Sequence, residues 1–221
     1  MTSADAPPYP QLLRLSEVAY TWIRDRLVLL DLRPGEPVNE ERIAAELGMG
    51  RTPVREALKR LESDRLVVSF PRRGTFTAEI NITDLAQIFE VRRQLEPLAA
   101  GLAAVRADEP EREQLTRLLG DLEAPSSGRQ TFRELMVADL RVHRSLYGAT
   151  HNPFLEDTLI QYDNLATRIW GVFGPQLSGA GAHIEEHLPL LRAVIGADQH
   201  KAARLARQHV IGFEEAVRAV L

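Results

Sequence analysis

Apolar residues in the first third of the chain recur at helical spacing and then give way to a strand-like pattern. The helical positions are Val18, Ile23, Leu27 and Leu30, then Ile43 and Leu47, and then Val54, Leu58 and Leu61. They predict helices over about 16–30, 39–47 and 52–63, with Asn39 as an N-cap and Pro53 tolerated in a first turn. Residues 66–70 and 75–78 are β-prone and flank a Pro-Arg-Arg-Gly turn, which predicts a hairpin.

Beyond about residue 82 the pattern is helical throughout. One helix is marked by Val91, Leu95, Leu98 and Leu102, a second by Leu115, Leu118, Leu119 and Leu122, and others are expected over 130–147, 152–173, 182–195 and 199–219. Loops are expected over 121–130 and 174–181. The fold class predicted is therefore mainly α, with a winged helix-turn-helix followed by an antiparallel helical bundle.

The same pattern divides the chain into domains. The proline-rich residues 1–10 are expected to form a flexible tail, residues 11–79 the winged helix-turn-helix, and residues 84–221 the helical domain. With 44% hydrophobic and 26% charged residues, the composition argues against disorder over most of the chain. We find no apolar run of membrane-span length and no secretory signal pattern, so we expect a cytoplasmic protein without a membrane partner.

Charge is distributed unevenly along the chain. The formal net charge is −4, yet residues 51–74 contain seven basic residues against three acidic ones. Arg51 and Arg55 lie one helical turn apart at the start of the third helix, where side chains and free backbone N–H groups can reach DNA together. Arg72 and Arg73 in the hairpin turn are expected to meet the adjacent DNA backbone. A solvated basic helix face is the alternative, but the helix-turn-helix spacing followed by a wing favours DNA binding.

A second set of residues has the chemistry of a metal site. Asp139 and His143 lie four apart on one helix face, while His187 and His209 are equidistant from Asp198, the expected tip and N-cap of a helical hairpin. The chain has no cysteine, so any metal must be held by imidazole and carboxylate groups. Each histidine alone is more simply a core or surface residue. We assign that ordinary role to three others, namely His151, His183 and His200.

The segment from Gly48 to Leu58, Gly-Met-Gly-Arg-Thr-Pro-Val-Arg-Glu-Ala-Leu, resembles the recognition segment of the GntR superfamily of transcription regulators. The resemblance extends from Leu-Arg-Pro-Gly at 32–35 to Arg-Arg-Gly at 72–74. It implies DNA contacts at Arg51, Thr52, Arg55 and Gly74. Three positions depart from the family pattern: Gly50, Glu41 and Arg65.

The order and spacing of Asp139, His143, His187 and His209 resemble the FCD domain of the FadR subfamily, over about residues 84–218. Arg92, Leu95, Glu96 and the Asn-Pro-Phe of 152–154 also match. The resemblance implies a divalent metal, with zinc, nickel and manganese all admissible, and a small organic acid as effector. Arg92 offers a planar fork suited to the carboxylate of that acid, although a surface arginine paired with Glu96 is the alternative.

These features predict a metabolite-responsive repressor rather than an enzyme. We expect a homodimer on a palindromic double-stranded operator, with the effector weakening DNA binding. A metal-dependent hydrolase is the main rival, but it leaves the winged helix unexplained and the sequence shows no separate general base. A second rival is a regulator whose metal is itself the signal or is purely structural.

Overall fold

A computed structural model describes residues 9–124, 130–176 and 180–219. It divides the chain into two compact units, residues 1–80 and residues 81–221. The predicted tail falls mostly on residues 1–8, which lie outside the described residues. Among the described helices, none combines the length and the apolar character that crossing a membrane requires.

The described residues of the first unit form three α-helices and a two-stranded sheet. They are α1 (Tyr9–Val28), α2 (Glu40–Glu46), α3 (Arg51–Ser63), β1 (Val67–Phe70) and β2 (Gly74–Thr77). The strands pair antiparallel, with Val67 opposite Thr77 and Phe70 opposite Gly74, so the predicted hairpin is confirmed. Helix α1 begins earlier than the apolar pattern indicated. Its first turn contains Pro10, which is tolerated there because a backbone N–H in the first turn has no helical partner.

The apolar positions that predicted these helices mostly form the core of the first unit. Ile23, Leu27, Val54 and Leu61 are completely buried, whereas Val18 is 53% exposed. The Asn39 side chain accepts a hydrogen bond from the backbone N–H of Arg42 and so caps α2 as predicted.

The second unit is all-helical among its described residues. Its α-helices are α4 (Leu85–Arg106), α5 (Glu109–Glu123), α6 (Phe132–Gly148), α7 (Pro153–Phe173), α8 (Ala180–Glu185), α9 (His187–Ile195) and α10 (Gln199–Arg218). Capping explains where several of them begin. Asp108 and Glu111 form a capping box at α5, Thr131 and Glu134 form another at α6, and Asp198 caps α10 as predicted.

Three expectations for this unit were wrong. Helix α5 continues to Glu123, into the predicted loop over 121–130, of which residues 125–129 lie outside the described part. The predicted helix over 182–195 is two helices, which separate at Glu186, and the first of them begins inside the predicted loop over 174–181.

The buried face of α4 includes charged residues, which the apolar pattern did not indicate. Leu98 is 50% exposed, while Arg92 and Glu96 are each only 4% exposed. The apolar residues lie beside this charged face, where Leu95 and Leu102 are half-buried and pack against the core. Burial of the polar face is possible because its charges satisfy one another, as described below.

Candidate DNA-binding surface and metal centre

The predicted DNA-reading residues lie at the start of α3. Arg51, Thr52 and Arg55 are all exposed, whereas Val54 and Leu58 on the opposite face are buried. The N-cap residue, Gly50, has extended backbone and no side-chain cap hydrogen bond. The first turn of α3 thus presents two guanidinium groups together with backbone N–H groups at the positive end of the helix dipole, an arrangement suited to anions such as DNA phosphate.

Each of the two arginines is held by an acid from α2, which the sequence did not reveal. Arg51 Nη1 donates to Glu41 Oε1 at 2.6 Å, and Arg55 Nε donates to Glu40 Oε2 at 2.7 Å. Both acids lie in the first turn of α2. They lie ten and fifteen positions from their partners in the sequence, so no local spacing rule could have paired them.

The hairpin turn carries the other predicted DNA-binding residues. Arg72, Arg73 and Gly74 are all exposed, and Gly74 has φ +89°, a value that favours glycine. The Arg73 guanidinium carbon lies 5.6 Å from the Phe70 ring centre and 5.7 Å from that of Phe76. These cation–π contacts keep the arginine beside the sheet.

The predicted metal ligands converge inside the second unit. Helix α6 supplies Asp139 and His143, α9 supplies His187 and α10 supplies His209, and all four are buried. One potential ligand atom from each lies within 4.8 Å of the other three. The hairpin formed by α9 and α10 thus brings its two histidines to the centre that α6 provides.

The distances within this cluster fit a metal ion. Asp139 Oδ1 lies 3.7 Å from His143 Nε2 and 3.5 Å from His187 Nε2, and those two nitrogens are 3.4 Å apart. Four ligands held about 2.1 Å from one tetrahedral ion lie roughly 3.4 Å from each other. Asp139 Oδ1 is also buried without a well-formed hydrogen bond from any described residue, which is costly unless a cation satisfies it.

Hydrogen bonds on the far side of each imidazole ring orient the histidines. His187 Nδ1 lies 3.2 Å from the carbonyl oxygen of Ile184, and His209 Nδ1 lies 2.9 Å from Glu186 Oε2. A carbonyl or carboxylate oxygen can only accept, so each Nδ1 must carry the proton and each neutral ring keeps an Nε2 lone pair. Such outer hydrogen bonds are the usual support of metal-binding histidines.

His143 has a corresponding support from α4 and α6. Its Nδ1 lies 3.1 Å from the Tyr147 hydroxyl and 3.4 Å from Glu96 Oε2. Tyr147 donates its own proton to Glu96 Oε1 at 2.7 Å, so the His143 N–H is the donor to this pair. The Nε2 atom of His143 is therefore the one that faces Asp139 and His187.

The protonation states agree with a ligand role. Burial lowers the pKa of His187 to about 3 despite the opposing charge of Asp139, and burial together with the imidazole of His187 lowers the pKa of His209. Burial also disfavours the charged form of His143, but the carboxylates of Glu96 and Asp163 outweigh it and raise its pKa to about 9. At neutral pH two rings are ready to bind a metal, whereas His143 must first release a proton.

Arg92, the predicted effector-binding residue, lies in a buried ion-pair network rather than on the surface. It donates to Glu96 Oε1 through Nε at 2.9 Å and Nη2 at 2.7 Å, and to Asp163 Oδ1 through Nη2 at 3.0 Å. The pairing with Glu96 was anticipated from their spacing, but Asp163 on α7 was not. Because Glu96 also contacts His143, this network connects Arg92 to the metal cluster.

A small cavity adjoins the cluster. Arg92, His183, Trp170 and Phe213 contribute to its lining, and its volume of about 10 Å³ holds roughly one water molecule. We had assigned His183 an ordinary role, yet its Nε2 lies 3.4 Å from Asp139 Oδ1 and its ring stacks on that of His209 at 4.3 Å. Its position four residues before His187 could have indicated a place near the cluster. The sequence did not show that the helix breaks at Glu186.

Comparison with known proteins places both units in families. The FCD domain matches residues 87–212, and the gntR family of bacterial regulatory proteins matches residues 15–77. The Nta operon transcriptional regulator of Aminobacter aminovorans is 29% identical over 178 residues, which are 80% of this chain and 82% of that protein. The galactonate operon transcriptional repressor of Escherichia coli is 28% identical over 195 residues, covering 79% and 82%.

A solved structure supports the same fold. Escherichia coli McbR/YncC superposes with a TM-score of 0.78 at 22% identity, covering 93% of this chain and 97% of that one. The FCD match alone spans more than half of the sequence. This chain therefore belongs to the gntR family of bacterial regulatory proteins and carries an FCD domain, which makes it a DNA-binding transcription regulator and not an enzyme.

Proposed function

We propose that this protein is a repressor of the FadR subfamily whose affinity for its operator falls when a small carboxylate binds beside a divalent metal in the FCD domain. The observation that carries the proposal is the buried Asp139 Oδ1, surrounded by histidine Nε2 atoms at ligand spacing. Asp139, His143, His187 and His209 are the proposed ligands. Imidazole suits zinc and nickel, and the carboxylate also admits manganese.

The charge and position of the site favour an acid as effector. A bound divalent ion would add positive charge and accept an exogenous carboxylate oxygen as a further ligand. Arg92 is part of the cavity wall, and its bonds to Glu96 and Asp163 use Nε and Nη2, so its Nη1 is the nitrogen proposed to donate to the carboxylate of the acid. One relative is named for an operon of galactonate, a sugar acid.

Because the cavity is small, effector binding requires a conformational change. A cavity of about 10 Å³ cannot hold an organic acid, so the side chains around it must move when the acid enters. A ligand acts as a switch only if it binds the DNA-competent and DNA-incompetent states with different affinity. Adding metal and galactonate separately and together to the metal-stripped protein, while following operator binding, tests this proposal.

The DNA side of the proposal rests on the exposed first turn of α3 and on the wing. We propose that Arg51, Thr52 and Arg55 enter the major groove, where an arginine fork can read guanine. Arg72, Arg73 and Gly74 are proposed to contact the adjacent DNA backbone. One recognition helix reads only a few base pairs, which favours two copies on a palindromic operator.

The apolar stripe of α4 is a suitable surface for that second copy. Val91, Leu95, Leu98, Leu102 and Val105 alternate at spacings of four and three residues, the pattern by which helices pair in coiled coils. Leu98 and Val105 are 50% and 51% exposed, and the other three are half-buried. We propose that α4 packs against α4 of a partner subunit in a homodimer.

The double substitution of Leu98 and Val105 by glutamate is expected to convert the dimer into a monomer. Two buried, unpaired carboxylates in each subunit would oppose the interface. Sedimentation velocity at micromolar concentration measures the change. The double substitution of Phe154 and Val172 by glutamate, at exposed apolar residues on α7, serves as the charge-matched control. A monomeric wild type, or a double variant that stays dimeric, would rule out this interface.

A further inference from the structure

The acids that hold the two recognition arginines lie where they would also face DNA. Glu41 and Arg51 are both well exposed, at 75% and 55% of their side-chain surface. An exposed ion pair of this kind contributes little to stability, because water and salt screen it. Its contribution to folding is therefore small, while a carboxylate beside the proposed DNA surface repels phosphates and weakens binding to any sequence.

The geometry of the pair points to another role for Glu41, which is to orient the guanidinium of Arg51. Glu41 Oε1 accepts from Nη1 of Arg51, which fixes one corner of the guanidinium and leaves the edge formed by Nε and Nη2 outside this bond. Two parallel N–H groups on one edge match the O6 and N7 acceptors of guanine. The neighbouring pair is arranged in a similar way. Glu40 accepts a hydrogen bond from Nε of Arg55 and leaves the two terminal nitrogens of Arg55 outside this bond.

The anchoring element is suited to this task. Glu41 lies in the first turn of α2, which is capped by Asn39, contains the buried Ile43 and packs against α3. A carboxylate on a fixed helix restricts the rotamers of a long arginine side chain before DNA arrives. Less conformational entropy is then lost when the arginine binds a base.

We propose that Glu41 is a positioning residue for Arg51, and that it increases discrimination between DNA sequences while lowering the overall affinity for DNA. The inference rests on the proposed contact of Arg51 with a base. Arg51 keeps its fork aligned with guanine because Glu41 holds the opposite corner. On DNA sequences without this guanine, Glu41 contributes only electrostatic repulsion of the phosphates.

The test compares full-length wild type with Glu41→Gln at fixed salt concentration. The probes are a duplex enriched by the wild-type protein from a randomised pool and a scrambled duplex of the same composition. We expect Glu41→Gln to bind the scrambled duplex several-fold more tightly and to lose about fivefold or more of the ratio between the two affinities, the lower range for one bidentate base contact. Glu46→Gln, which removes the same charge from α2, is the matched control.

An equal gain in affinity for both duplexes would overturn the inference. If Glu41→Gln strengthens binding to both duplexes equally, so that the ratio stays within twofold of wild type, Glu41 is only a repulsive charge. Arg51→Ala separates this failure from failure of the proposed DNA contact. Loss of discrimination in Arg51→Ala together with an unchanged ratio in Glu41→Gln rejects the positioning role alone, whereas normal discrimination in Arg51→Ala rejects both.

Discussion

His187→Ala and His209→Ala are each expected to lower the affinity for Zn²⁺ or Mn²⁺ by more than about 100-fold, because even outer-shell partners of metal ligands are worth about 10–100-fold. Each substitution removes an Nε2 donor from a cluster whose ligand atoms lie within 4.8 Å of one another. The remaining three ligands leave that coordination position to water, which binds the ion more weakly than an imidazole. Isothermal titration of the metal-stripped proteins measures the loss.

Thermal unfolding gives a second measure of the same change. At 100 times its dissociation constant a metal stabilises the wild type by about 2.7 kcal/mol, which raises Tm by roughly 5–10 °C for a domain of this size. We expect no such rise in the two alanine variants. His200→Ala, at an exposed histidine of α10, should keep the wild-type response. One equivalent of metal bound with wild-type affinity in His187→Ala would show that the ligand set is wrong.

Arg51→Ala and Arg55→Ala are each expected to weaken operator binding by about 1–3 kcal/mol, or roughly 5–150-fold, if the lost contact is to a base edge. Both arginines are exposed at the start of α3, so their removal should leave the fold intact. Fluorescence anisotropy of a labelled duplex enriched by the wild type, at one salt concentration, gives the affinities.

The control for these variants is Arg204→Ala, which removes the same charge from an exposed position on α10. It should bind the duplex like the wild type. Arg51→Ala and Arg55→Ala proteins that both retain wild-type affinity would contradict the placement of α3 as the recognition helix.

Local sequence signals predicted most of the helices of this fold. Asn39 and Asp198 were correctly identified as N-caps because capping depends on a few adjacent residues. The α9–α10 hairpin followed from the same reasoning, since residues equidistant from its tip face each other. The structure accordingly brings His187 and His209 to one centre.

Features that depend on tertiary partners were not predicted. Periodicity predicted helix α4 but not its buried ion pairs: Arg92 and Glu96 are buried because Asp163 on α7 and Tyr147 on α6 complete their hydrogen bonds. His183 was missed because its proximity to Asp139 depends on the break between α8 and α9. No spacing rule in one sequence contains such long-range pairings.

Operator binding by the metal-stripped protein, followed while metal and a carboxylate are added separately and together, tests the central claim most directly. The claim predicts that Zn²⁺ or Mn²⁺ alone leaves the operator bound, that no small carboxylate of a panel acts alone, and that at least one of them together with the metal weakens binding by about 5–150-fold, the usual range of allosteric coupling. Release of the operator by metal alone would show that the metal itself is the signal. Two results would contradict the account: a full response to acid without metal, or no response to any of a panel of small acids in the presence of metal.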